Sequence, residues 1–133
     1  MALTKSAQQL VAEANARITT LSLEQAQARH GVADAQFIDI RDVRELERAG
    51  RIPGAAHMPR GMLEFWADPD SPYYKPLFGE GKQLILYCAS GWRSALATAA
   101  LQDMGVPRVC HVEGGFSAWQ KAGGAVEAYA RKG

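Results

Sequence analysis

At 133 residues, 47% apolar and 22% charged, the chain has the size of one domain, is short for two, and is too apolar to stay disordered. Fifteen Lys and Arg against fourteen Asp and Glu leave a formal net charge of +1, so no broad basic field exists to hold nucleic acid or an anionic membrane. Two cysteines, Cys88 and Cys110, are too few for a disulfide scaffold and fit a reducing cytoplasm.

In chain order, residues 3–17 put Leu3, Leu10, Val11 and Ala14, with Ile18 just beyond, near helical spacing. They predict an amphipathic helix packed on the rest: a helical extension over residues 1–17 before a domain over 18–133. The alternative is a partner-binding arm or a targeting segment. Glu13 and the low Arg content weigh against a transit peptide, and no charged start with an apolar block marks a secretory signal. Residues 18–21 suit a short strand. Ser22 suits a helix N-cap, because its hydroxyl can accept a free backbone N–H, and that helix runs to about Arg29 with Gly31 past its end.

A strand is expected at 35–40, a polar helical turn or two at 42–49 closed by Gly50, and a short strand at 55–58. Residues 59–81 break the rhythm: Phe65, Trp66, Tyr73, Tyr74 and Phe78 lie among Pro69, Pro72 and Pro76. Such a segment either packs on the core or walls a site. Residues 82–87 are the strongest strand, a continuous apolar run suited to the middle of a parallel sheet, and far below the roughly 20 residues that cross a bilayer. A helix follows at 94–104, stopped by Gly105 and Pro107, then a strand at 108–112 and a last helix at 115–122. This alternation predicts an α/β fold, a mostly parallel central sheet between two layers of helices.

Cys88 stands where the strongest strand ends. A short loop of Ala89, Ser90, Gly91, Trp92 and Arg93 leads to Ser94, which is expected to open the next helix. In parallel α/β sheets ligands bind beyond the carboxyl ends of strands. Gly91 allows tight turning that aims successive N–H groups into one hollow, and the helix N-terminus adds more. Arg93 adds a full positive charge. Such a field favours the thiolate, the reactive form, and would equally hold a persulfide anion. The alternative is a buried, inert cysteine; the glycine, the arginine and the strand-to-helix step weigh against it.

The segment Cys88-Ala89-Ser90-Gly91-Trp92-Arg93-Ser94 resembles the active-site loop of rhodanese-like domains. Two further stretches agree. Asp39-Ile40-Arg41-Asp42, Glu45 and Gly50-Arg51-Ile52-Pro53-Gly54-Ala55 resemble the upstream motif, and Val112-Glu113-Gly114-Gly115-Phe116-Ser117-Ala118-Trp119 with Gly123 the closing one. The resemblance covers about residues 18–127. It departs at Arg51, where His is frequent, and at Ala125, where Pro is frequent.

The resemblance implies a three-layer sandwich and a thiosulfate sulfurtransferase chemistry. Cys88 would attack the outer sulfur of a small donor such as thiosulfate and become a persulfide, and Ala89, Ser90, Gly91, Trp92, Arg93 and Ser94 would bind the substrate. A thiol, cyanide or a protein acceptor would take the sulfur, with no cofactor, no nucleic acid and no membrane involved. A sulfur carrier serving a partner protein is the alternative. Four residues separate Cys88 from Arg93; the resemblance ties that spacing to sulfur, where cysteine phosphatases place five.

Other residues admit plainer readings. Arg93 faces substrate or pairs with an acid to hold the loop, and Trp92 shapes a pocket mouth or caps the loop. Ser90 and Ser94 donate to sulfur, or Ser94 only caps the helix. Asp39, Arg41 and Glu45 suit an ion-pair network bracing the strand ends, and Gly50, Gly54, Gly114 and Gly115 suit turns. Trp119 suits the core. His30, His57 and His111 share no metal-like spacing with each other or with Cys110, so no metal is expected. Cys110 is read as buried in a strand, with a resolving thiol for Cys88 as its rival role.

Overall fold

The run over residues 83–87 has no polar face to offer water, and the protein buries it on both sides. In the computed structural model, which describes residues 2–131, β4 (Gln83–Tyr87) is the middle of a five-stranded sheet. The ends of the two segments expected above, residues 1, 132 and 133, lie outside the described residues. The other strands are β1 (Thr19–Leu21), β2 (Ala35–Asp39), β3 (Ala56–His57) and β5 (Val109–Val112). They lie in the order β1-β5-β4-β2-β3, and every pairing is parallel. Leu86 pairs with Ile38 on one side and His111 on the other.

Alternate side chains of β4 feed two cores. Leu84, Leu86 and Cys88 face one side with Ile38, Val109, Leu63, Ala97 and Leu101. Ile85 and Tyr87 face the other with Phe37, Cys110, Val112, Phe116 and Trp119. Each fully buried Leu or Ile contributes roughly 1.5–3 kcal/mol. Helices α4 (Leu63–Ala67) and α5 (Trp92–Asp103) cover the first face, and α2 (Leu23–Arg29) and α6 (Gly115–Lys121) the second. Helix α3 (Val43–Ala49) links β2 to β3 and buries Leu46. No helix among the described residues is long and apolar enough to cross a membrane.

The first helix, α1 (Ala7–Arg17), is capped by Ser6, whose side chain accepts the Gln9 N–H. It starts later than the periodicity suggests and leaves Leu3 and Leu10 exposed. Its inward face is Val11 and Ala14, which pack on Ala95 and Ala99 of α5. A two-point ion pair from Arg17 to Asp103 ties the same two helices. Ser22 and Asp42 each form a reciprocal capping box, with Gln25 and Glu45 respectively.

The aromatic segment splits. Phe78 is buried, and Trp66 and Tyr74 pack against the core, whereas Phe65 and Tyr73 point to solvent. Arg51, at the first departure from the resemblance, ties down the C-terminal segment. It pairs with Glu127 through backbone and side chain and lies over the Tyr129 ring.

Candidate active site

Past Tyr87 the chain leaves the sheet and turns into α5 within three residues. Gly91 is the N-cap, with φ of +108° that suits glycine, and the helix begins at Trp92. This corrects the expectation that Ser94 opens the helix. Ser94 lies in its first turn, and its backbone N–H finds another acceptor. The Cys88 Sγ accepts the N–H of Gly91 at 3.2 Å and that of Ser94 at 3.4 Å. The sulfur thus takes the place that a serine or aspartate oxygen takes at an ordinary helix start. Two amides and the positive end of α5 converge on one sulfur, an arrangement that favours negative charge there. Cys88 is only 1% exposed.

The loop is held from below by α6. The Phe116 N–H donates to the Cys88 carbonyl at 2.8 Å and the Ser117 N–H to that of Ala89 at 3.0 Å. Free amides at one helix start are therefore satisfied by the loop's own carbonyls. Gly114 and Gly115 both adopt positive φ to bring α6 this close. A Cβ on Gly115 would stand 2.5 Å from the Cys88 oxygen. Gly115 is a contact requirement as well as a turn.

The charged neighbours sort into two groups. Asp39 and Arg41 form a buried pair at 2.7 Å, and Arg41 also donates to the Gly50 carbonyl and lies over the Phe116 ring. Both brace the carboxyl end of β2. Glu45 instead reaches the loop, accepting from both terminal nitrogens of Arg93 at 2.8 and 2.9 Å. Arg93 therefore pairs with an acid. Its hydrogen bonds to Glu45 hold it more firmly protonated, and the nearby Cys88 sulfur adds to this. The same pairing lowers the Glu45 pKa.

Ser90 and Trp92 are exposed at the rim and Ala89 is half-buried. Ser90, Gly91 and Trp92 border a cavity of about 380 Å³, shared with Val11 and Asn15 of α1, Thr20 of β1, and His111, Glu113 and Gly114. None of the five aromatics of residues 59–81 lines it.

The residue that sequence reading passed over is His111. It is buried on β5, and its Nδ1 lies 2.9 Å from the Ser94 Oγ. That oxygen lies 3.5 Å from the Cys88 sulfur. On its far side the His111 Nε2 meets Thr20 Oγ1 and Asn15 Oδ1, each at 3.1 Å. Burial pushes its pKa down to about 4, so the ring is neutral near pH 7. The signal was a polar residue in the apolar strand Val109–Val112, in register with Leu86 and so on the Cys88 face.

Cys110 lies on the opposite face of the sheet. Its partner Ile85 is three residues, roughly 10 Å, short of Cys88 along the strand. That is beyond the Cα separation of about 7 Å that a disulfide spans. Burial pushes its thiol up to about 11. These facts rule out direct pairing with Cys88. His30 is wedged between Phe37 and Trp119 and bonds the Pro53 carbonyl, and His57 bonds the Arg41 carbonyl, both apart from the loop.

Comparison with known proteins adds a lineage to this geometry. Residues 22–122 match the rhodanese-like domain family. An uncharacterized protein of Synechocystis is 33% identical over 112 residues, covering 84% of this chain and 55% of the relative, so the chain spans about half of that protein's length. A protein named sulfurtransferase from Allochromatium vinosum is 31% identical over 90 residues, 68% of this chain and 76% of the relative. A solved structure from Rhodopseudomonas palustris, described as a protein of unknown function and possible tyrosine phosphatase, is 51% identical with a TM-score of 0.93. It covers 96% of this chain and 98% of its own.

Proposed function

The chain belongs to the rhodanese-like domain family, and from that premise we propose that it is a sulfurtransferase whose Cys88 carries the moving sulfur. One observation carries the reading: the Cys88 sulfur sits under the amides of Gly91 and Ser94 at the start of α5. Those amides stabilise a thiolate before transfer and an anionic persulfide after it.

In the first half-reaction the thiolate attacks the outer sulfur of a donor such as thiosulfate. The sulfur–sulfur bond of the donor breaks and sulfite leaves with its electron pair. In the second, a nucleophile such as cyanide or a thiol attacks the outer persulfide sulfur, and Cys88 leaves as thiolate. Two covalent steps give ping-pong kinetics. Ala89, Ser90, Gly91, Trp92, Arg93 and Ser94 form the binding loop in this reading, and Arg93 acts while paired to Glu45. The amphipathic α1 is the N-terminal extension, residues 18–133 form the domain, and the reducing cytoplasm is its setting. Similarity to the Allochromatium vinosum protein named sulfurtransferase supports sulfur transfer.

The alternative within the same chemistry is a carrier that hands its sulfur to a partner protein. The test incubates the protein with thiosulfate or another sulfane donor and looks for about 32 Da, one sulfur atom, on Cys88. Turnover of thiosulfate with cyanide supports the enzyme. Fast loading with negligible discharge to cyanide supports the carrier. No adduct with any sulfane donor rejects both.

A further inference from the structure

Cys88 is almost sealed from solvent, yet in the proposed cycle its sulfur alternates between a neutral thiol and an anion. A hydroxyl beside it suits one state as an acceptor and the other as a donor. Ser94 is that hydroxyl, and His111 Nδ1 lies 2.9 Å from its oxygen. Building on the proposed role of Cys88, we propose that Ser94 and His111 form a tautomeric hydrogen-bond switch that follows the charge on the Cys88 sulfur and passes its proton to the cavity beside α1.

The distances admit both settings. With a thiol, the Cys88 S–H donates to Ser94 Oγ, the Ser94 O–H donates to His111 Nδ1, and the Nε2–H donates to Asn15 Oδ1. With an anion, the Ser94 O–H donates to sulfur, a His111 Nδ1–H donates to Ser94 Oγ, and Nε2 accepts the Thr20 O–H. The His111 Nε2 is thus supplied with both an acceptor and a donor, each at 3.1 Å. Passing between the settings moves the thiol proton to Ser94, the Ser94 proton to Nδ1, and the Nε2 proton to water in the cavity. One proton is released and none is left over.

The ring is neutral in both settings, which suits a buried imidazole whose charging burial opposes. The ionisable groups near it are Cys88 itself, through Ser94, and Glu113 at the cavity wall, with Arg93 and Glu45 paired beyond the loop. Asn15 of α1 gives the N-terminal helix a part in the site. His111 acts through Ser94 and is a positioning residue.

The experiment records the His111 ring nitrogens by NMR in protein labelled with ¹⁵N-histidine across a pH titration, with thiolate formation followed by ultraviolet absorbance in the same samples. The expected result is a proton on Nε2 at low pH and on Nδ1 at high pH, with the same change after persulfide loading. Ser94→Ala is expected to abolish the response. A tautomer indifferent to pH, a charged ring, or a response that persists in Ser94→Ala overturns the switch. The pH arm needs no sulfur donor. A protein that switches with pH but takes up no sulfur refutes the proposed function and leaves the switch standing. One that loads sulfur without switching refutes the switch alone.

Discussion

The Phe116 amide donates to the Cys88 carbonyl at 2.8 Å, so the helix that closes the domain grips the residue proposed to carry sulfur by its backbone. The grip needs Gly115, whose φ of +62° and 2.5 Å Cβ clearance leave no room for a side chain. Gly115→Ala is expected to cost at least about 2 kcal/mol. Gly54→Ala, also at positive φ but facing open space, is expected to cost about 1 kcal/mol. Urea unfolding of the two variants side by side measures the difference, and equal losses would remove the packing argument.

A sulfur that caps a helix gives Cys88 a structural value separate from its chemistry. Cys88→Ser keeps an acceptor for the α5 amides and Cys88→Ala removes it. Neither is expected to gain mass from a sulfane donor at this position. The serine variant is expected to be more stable than the alanine variant by about 1 kcal/mol. Thermal melts of the pair read this directly.

Arg93 holds Glu45 at two points. Arg93→Ala is expected to slow sulfur loading from thiosulfate about tenfold or more, read by mass spectrometry over time. The pair also has a pH signature. Arg93 lowers the Glu45 pKa in the folded state, so its stabilisation is present above the unfolded value of about 4.3 and is lost as pH falls through the folded value. The wild type is therefore expected to lose its advantage over Arg93→Ala on acidification. The effect is on the order of 1 kcal/mol, since Arg93 is partly exposed.

His111 titrates with the opposite driving force. Burial lowers its folded pKa to about 4, against about 6.5 unfolded. Between these values the unfolded chain takes up a proton that the folded protein refuses, so stability falls as pH drops through that window. The loss amounts to about 3 kcal/mol at most. His111→Gln is expected to flatten this part of the profile, measured as urea midpoints at about pH 7 and about pH 4.5. Parallel profiles would contradict a buried neutral ring.

The 51% identical structure described as a possible tyrosine phosphatase invites a direct comparison of chemistries. Here four residues separate Cys88 from Arg93, and both terminal nitrogens of that arginine are taken by Glu45. Hydrolysis of p-nitrophenyl phosphate is expected to be negligible under conditions where Cys88 loads sulfur. Phosphatase turnover rivalling sulfur transfer would reverse this assignment.

The strand-to-helix step at Cys88 was legible because β4 is apolar throughout and Gly91 and Arg93 follow at short range. Local chemistry also wrote the capping boxes at Ser22 and Asp42. The start of α5 was misplaced because a serine is the usual cap, and nothing in sequence tells that a sulfur six residues upstream takes its amide. The roles of His111 and Asn15 were missed for a related reason: His111 meets Ser94, and Asn15 meets His111, only through the β5–β4 register and the packing of α1 on α5. Glu45 was read as a brace for the sheet end, but its partner, Arg93, is 48 residues away.

The placement of the two cysteines on opposite faces of the sheet bears on oxidative damage. A peroxide that converts Cys88 to a sulfenic acid meets no second thiol of the same chain within bonding range. Recovery then depends on a small thiol or another protein's thiol reaching a sulfur that is only 1% exposed, and in the proposed cycle a sulfur acceptor faces the same barrier. In that cycle, whatever local opening admits the acceptor also admits the repairing thiol, so a change that stiffens the Cys88 loop is expected to slow both together.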